Sequence, residues 1–369
     1  MAKAVNYSYL RTVSSVILAF VFISSRIHAI PQSLADGENV ENFPEDDAES
    51  FLENRDLRDC FVTDLECPNE NVSFYLYTRE NPKDPYELTL DDYNLRKAPF
   101  AKDTPFKFLI HGYTGNKDYA PNPEIRPALL KHGEYNVISV DWGKLAQSPC
   151  YIQATSNVEA AGKCTAHLIE VLVKNYNVPF KSIHLIGFSL GAQVTGQVAK
   201  YLRNNKVGKL RRITGLDPAM PLFATLSRDT VLDRSDAHFV DVIHTNAGNK
   251  GKLGPNGHVD FYVNGGTVQP GCAGPEVYDT ASCSHARAPI IYAESIDSES
   301  GFWGKECRSW IAYRAGLCDW STDSIALMGE FAEPRKHGQF FLDSGSQPPF
   351  ALGRDHVYGR NYLPRNVTG

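Results

Sequence analysis

The 369-residue sequence has no block of basic residues, and its 37 Lys and Arg are outnumbered by 43 Asp and Glu, a net charge of −6. The electrostatic footprint of a nucleic-acid partner is therefore missing. After residue 25 no apolar stretch approaches the roughly 20 residues that a spanning helix needs, so no transmembrane segment is expected. No strongly amphipathic membrane-binding helix offers itself, and no segment repeats. With 42% hydrophobic and 22% charged residues the composition is that of a core-forming soluble protein, which excludes disorder and collagen. The length allows one large domain or two ordinary ones.

The charge that is present is unevenly placed. Residues 1–29 carry Lys3, Arg11 and Arg26 and no acid, then the apolar run Val13–Ser25, and finish at Ile27-His28-Ala29. That pattern reads as a secretory signal, which implies an extracellular location. Residues 30–59 are acidic and lack an apolar period, as a flexible leader or propeptide would. Eight cysteines fall as neighbours in sequence. The simplest of their 105 possible pairings is Cys60–Cys67, Cys150–Cys164, Cys272–Cys283 and Cys307–Cys318, and disulfides suit an oxidising compartment. Asn71-Val72-Ser73 and Asn366-Val367-Thr368 are glycosylation acceptors.

From Cys60 onward, β-branched or aromatic runs alternate with helical spacing. Strands are expected at Phe106–Ile110, Val137–Val140, Ile183–Ile186, Arg212–Gly215 and Val240–His244, and helices at Asn157–Tyr176 and Leu190–Arg203. Such alternation predicts an α/β fold, a mostly parallel sheet with helices on both faces. The expected catalytic domain is 60–345, followed by a tail over 346–369. Within it, the Gly- and Asn-rich stretch around His258–Val263 suggests loops and an edge strand.

The run Ile183-His184-Leu185-Ile186, then Gly187-Phe188-Ser189-Leu190-Gly191, then Ala192–Leu202 reads as strand, tight turn, helix. This is a nucleophile elbow, which lifts the Ser189 hydroxyl above the sheet. The acid and base of such a triad follow the serine in the chain. Asp141 precedes it and fails on order, whereas Asp217 ends a strand before Pro218. His244 and His258 are placed as structural residues. His285, two residues after Cys283 on an expected disulfide-clamped loop, is the better base. A tetrahedral intermediate also needs two backbone N–H donors: Leu190 supplies one, and the turn His111-Gly112-Tyr113 supplies the other through Tyr113.

Together with Val140-Asp141-Trp142, Gly215-Leu216-Asp217-Pro218-Ala219, Asp241-Val242-Ile243-His244-Thr245 and Asp260-Phe261-Tyr262-Val263-Asn264-Gly265-Gly266, these motifs resemble the pancreatic lipase family from about Cys60 to Asp343. The resemblance implies a secreted α/β-hydrolase that cleaves lipid esters with Ser189, Asp217 and His285 and no cofactor in the chemistry. It also implies a structural calcium at Asp233 and Asp236, with the carbonyls of Arg228 and Val231. Gln193 departs from a usual histidine, on the helix and outside the triad. Only ten residues separate Cys272 from Cys283, where the family carries its lid, and the loop His244–His258 is compact. Short versions of both look like the phospholipase A1 branch, including insect and wasp-venom members. That branch predicts release of the sn-1 fatty acid from phospholipid at a membrane or lipid-particle surface. A neutral-lipid lipase and a non-catalytic lipid-binding or yolk-type protein are the alternatives. No C-terminal β-sandwich and no dependence on colipase are expected.

Overall fold

The computed structural model describes residues 57–224, 230–274, 277–318 and 324–358. The signal, most of the acidic leader, Arg228 and Asn366 lie outside the described residues.

Among the described residues, eleven strands form one sheet: β1 (Ser73–Tyr77), β2 (Tyr86–Leu88), β3 (Phe106–Ile110), β4 (Asn136–Asp141), β5 (Ile183–Phe188), β6 (Leu210–Leu216), β7 (Ala237–His244), β8 (Val259–Val263), β9 (Phe302–Glu306), β10 (Ile325–Met328) and β11 (Gly338–Leu342). Their order is β10-β9-β11-β8-β7-β6-β5-β3-β4-β1-β2. The central run from β4 to β11 is parallel, and β1, β2, β9 and β10 add antiparallel margins. The described helices are α1 (Asp92–Lys97), α2 (Asn122–His132), α3 (Tyr151–Asn175), α4 (Leu190–Asn204), α5 (Thr280–Asp297), α6 (Trp310–Arg314) and α7 (Arg354–Tyr358).

Strand residues alternate between two cores. Phe106, Phe108 and Ile110 of β3 pack with Leu168 and Ile169 of α3 and with Val194 and Val198 of α4. Leu109, on the opposite face, packs with Ile125 and Leu129 of α2 and with Ile291 and Tyr292 of α5. A strand covered on both faces must be apolar throughout, which is why β5 reads as a continuous run rather than an alternation.

The expected strands and helices are present, with three corrections. First, β8 is not an edge strand, because parallel β7 and β11 flank it. Secondly, the first two disulfides join Cys60 to Cys150 and Cys67 to Cys164, not Cys60 to Cys67 and Cys150 to Cys164. Cys150 caps the start of α3 and Cys164 lies inside it. A helix rising 1.5 Å per residue holds them about 20 Å apart, whereas a disulfide needs its Cα atoms within about 7 Å. These two bonds close loops of 90 and 97 residues and staple the N-terminal segment to α3. Cys272–Cys283 and Cys307–Cys318 pair as expected. Thirdly, the packed domain continues past residue 345: Phe350 is buried in the core, and its N–H and that of Ala351 donate to the Glu294 carboxylate.

Candidate active site

The site is built where the parallel strands end. Ser189 stands between β5 and α4 with φ 56° and ψ −121°, a strained backbone for a residue with a side chain. The turn is tight because both neighbouring glycines are needed: a Cβ on Gly187 would meet Gly191 O at 2.3 Å, and one on Gly191 would meet Ile110 O at 2.1 Å. The Ser189 N–H donates to Leu216 O (3.0 Å), and Ser189 O accepts from Ala219 N–H (3.2 Å), which stitches the elbow to the end of β6.

Asp217 follows β6 directly and is fully buried, with φ 42°. Its N–H donates to Ile243 O (2.7 Å). Oδ1 accepts from the Thr245 N–H (2.9 Å) and the Asn246 N–H (3.1 Å), and Oδ2 faces His285 Nδ1 at 2.6 Å. A carboxylate can only accept there, so Nδ1 carries the proton, and in the neutral ring Nε2 keeps its lone pair. His285 sits in the second turn of α5, not on a loop as expected, its ring 4.6 Å from that of Phe188. The Cys272–Cys283 bond clamps the first turn of that helix. Asp279 caps it by accepting from Ala281 N–H and Ser282 N–H. The Ser282 hydroxyl, with these amides, holds the Asp279 pKa down to about 2. Ser189 Oγ makes no hydrogen bond to His285; in unliganded hydrolases this contact is often long and tightens when substrate binds.

Among the described residues, neither of the two expected oxyanion donors has a hydrogen-bond partner. Leu190 N–H opens α4, where helical N–H groups lack an intrahelical partner. Tyr113 N–H follows Gly112, whose Cβ position is 2.7 Å from Ser189 Cβ.

The other expected residues lie elsewhere. Asp141 ends β4 and accepts from Gly143 N–H (2.9 Å) and Lys117 N–H (3.2 Å). His244 pairs with Asp260 at 2.8 Å, and His258 Nδ1 accepts from Val240 N–H, so both serve structure. In the described part of the expected calcium set, a buried lysine lies beside one carboxylate. The Lys200 ammonium, buried, already donates to Val231 O (2.7 Å) and lies 3.5 Å from Asp236 Oδ2. Asp236 Oδ2 also accepts from Asp233 N–H, and Asp233 Oδ1 accepts from Ser235 N–H. Asp236 Oδ1 is buried without a hydrogen bond, but among the described residues no three acidic, His or Cys side chains gather around it. Asn71, the described glycosylation acceptor, is half-buried and donates to Asn69 Oδ1.

Sequence reasoning missed the supports of the acid. Gln193, set aside as peripheral, is fully buried: its Nε2 donates to Ala219 O and its Oε1 accepts from Leu232 N–H, both at 2.9 Å. Its departure from the usual histidine was the available signal. Asn246 and Gly251, which with Thr245 surround the Asp217 carboxylate, carried none.

No described helix is long and apolar enough to cross a membrane. A family profile described as Lipase matches residues 39–350. The chain is 36% identical over 329 residues to the pancreatic triacylglycerol lipase of Oryctolagus cuniculus, covering 81% of this chain and 68% of that protein. It is 34% identical over 314 residues to pancreatic lipase-related protein 3 of Homo sapiens, covering 77% and 65%. It is also 34% identical over 310 residues to inactive pancreatic lipase-related protein 1 of Homo sapiens, covering 76% and 65%. The chain thus spans about two thirds of the length of these relatives. With a parallel sheet, a strained serine elbow and a buried Asp–His pair at the strand ends, it belongs to the lipase family.

Proposed function

We propose that this protein is a secreted carboxylic ester hydrolase of glycerolipids. The observation that carries the reading is the 2.6 Å contact between Asp217 Oδ2 and His285 Nδ1 beside a serine held in a strained elbow. Ser189 Oγ would attack the acyl carbon as its proton passes to His285 Nε2. Asp217 holds the imidazole in the required tautomer and stabilises its cation, and the Leu190 and Tyr113 N–H groups receive the oxyanion. His285 then returns the proton to the departing alcohol, and water repeats the sequence on the acyl-enzyme. The chemistry needs no cofactor, and a calcium at Asp233 and Asp236 would be structural only. Four disulfides suit an extracellular location.

Two substrate readings rest on different observations. The short segment closed by Cys272–Cys283 supports phospholipase A1 activity, because an open cleft admits a polar head group. The relatives named pancreatic triacylglycerol lipase support neutral lipid. The intact pair and elbow weigh against a non-catalytic lipid carrier, although one relative is named inactive. The test is turnover of triolein and of phosphatidylcholine labelled separately at sn-1 and sn-2, beside Ser189→Ala. Release from sn-1 alone supports the phospholipase reading, and release mainly from triolein replaces it with the triacylglycerol reading. Equal turnover by Ser189→Ala would overturn both.

A further inference from the structure

We infer that His111 is a positioning residue for the oxyanion donor Tyr113 N–H, and that it acts through one fixed tautomer. The inference rests on the serine-hydrolase reading and names a part of the same site.

His111 follows β3, is fully buried, and stacks on Trp142 with ring centroids 5.5 Å apart. Its two nitrogens meet partners of opposite kind. The backbone N–H of Trp142 points at Nε2 (3.0 Å), so Nε2 must present a lone pair. The carbonyl of Gly112 lies 2.8 Å from Nδ1 and can only accept, so Nδ1 must carry the proton. Both contacts agree on the neutral Nδ1–H form. Asp141 Oδ1 lies 3.6 Å from Nε2, too far for a hydrogen bond. A proton on Nε2 could reach Asp141 only by opposing the Trp142 N–H.

The consequence passes through one peptide plane. In a trans peptide the C=O and the following N–H point in opposite directions. Gly112 O is held toward the His111 ring, with a second bond from Gly115 N–H at 3.2 Å. The N–H of that same peptide, on Tyr113, must therefore point away from the ring. The peptide lies against the nucleophile, since a Cβ on Gly112 would fall 3.3 Å from Ser189 Oγ. Trp142 Nε1 bonds His111 O (3.0 Å) and Thr114 N–H bonds Ala146 O (2.7 Å), which fix the loop on either side. Among the described residues, only the Nδ1–H bond and the weaker Gly115 bond set the tilt of the peptide that carries the donor.

Two amide variants separate this role from simple packing. Asn places its Nδ2 donor where Nδ1 lies, whereas Gln places its Oε1 acceptor where Nε2 lies. His111→Asn leaves the buried Trp142 N–H unpaired and His111→Gln leaves Gly112 O with the Gly115 bond alone, so both should lose stability. Their kinetics should differ. His111→Gln should lower kcat on a soluble short-chain ester by ~10²-fold, the effect of a lost oxyanion donor, with KM little changed and phosphonate inactivation slowed in proportion. His111→Asn should retain most of kcat. Wild-type kcat in His111→Gln, or equal losses in both variants, overturns the inference. If neither variant folds, nitrogen NMR of histidine-labelled wild-type protein decides: an unprotonated Nε2 and a protonated Nδ1 are expected on the buried ring, and any other form overturns it. Wild-type protein that neither turns over ester nor labels at Ser189 would instead overturn the serine-hydrolase reading itself.

Discussion

Gly251 is where a single added carbon should disable the site while leaving the fold intact. A Cβ at this position would lie 2.4 Å from Asp217 Oδ1 and 2.6 Å from both Cγ and Oδ2, where 3.4 Å begins ordinary contact. About 1 Å must be found. The carboxylate cannot yield it freely, because Oδ1 holds two N–H groups and Oδ2 holds His285. Gly251 is also tied down: its N–H donates to Asn246 O, and its carbonyl accepts from Gly248 N–H at 2.8 Å. Gly251→Ala therefore shifts the acid, and the imidazole with it, by most of that distance. A misplacement of about 1 Å in a catalytic constellation costs ~10²-fold in rate. The expected result is a ~10²-fold fall in kcat on a soluble ester with KM nearly unchanged. Gly254→Ala in the same loop, with nothing within 4 Å, should be silent. Thermal unfolding of both variants checks that the fold persists. If Gly251→Ala keeps half of wild-type kcat, the assignment of the Asp217 contacts is wrong.

Three further outcomes are expected. Gln193→Ala leaves Ala219 O and Leu232 N–H buried without partners, and should lower stability in urea by about 2–6 kcal/mol at roughly 1–3 per orphaned group; a loss under 1 kcal/mol would contradict the bridging role. Burial pushes the Asp236 carboxyl up to about 6 against the pull of Lys200. Because this folded pKa exceeds the usual carboxylate value, the group favours folding most in acid, and its contribution falls as pH rises from about 4 to 6. The difference in unfolding free energy between wild type and Asp236→Asn should move against wild type by on the order of 3 kcal/mol across that range, and a pH-independent difference would refute the shift. Because the Lys200 ammonium engages Val231 O and Asp236, Lys200→Met should lower the thermal midpoint, and no change would contradict that role; a fall with EDTA that calcium reverses would place the structural metal beside it.

The legible parts were those written in local pattern. The elbow around Ser189 announces itself through Gly187, Gly191 and the strand and helix on either side, and the chain order of the triad then points to Asp217 and His285. Long-range geometry was less visible. Cys67 and Cys164 meet across 97 residues, and only the rigid length of α3 rules out the nearer partner. The edge-strand reading of β8 failed because β11, which pairs with its outer edge, arrives roughly 75 residues later. A buried charge network was hidden for a different reason. Lys107, inside β3, donates to Glu330 and lies 3.1 Å from His184 Nδ1, and Arg212 binds Asp241 at 2.8 Å. Strand pattern alone assigns such residues to solvent. The compensation, a set of ionic partners that binds the segment after β10 to the sheet, exists only in three dimensions.

The central claim is that Ser189 becomes transiently esterified. Incubation of the folded protein with an organophosphonate ester, followed by peptide mass mapping, tests it directly. One adduct per chain on Ser189, formed in step with loss of esterase activity and absent in Ser189→Ala, is the expected result. Adduct formation elsewhere, or esterase activity that survives complete labelling, would contradict the account.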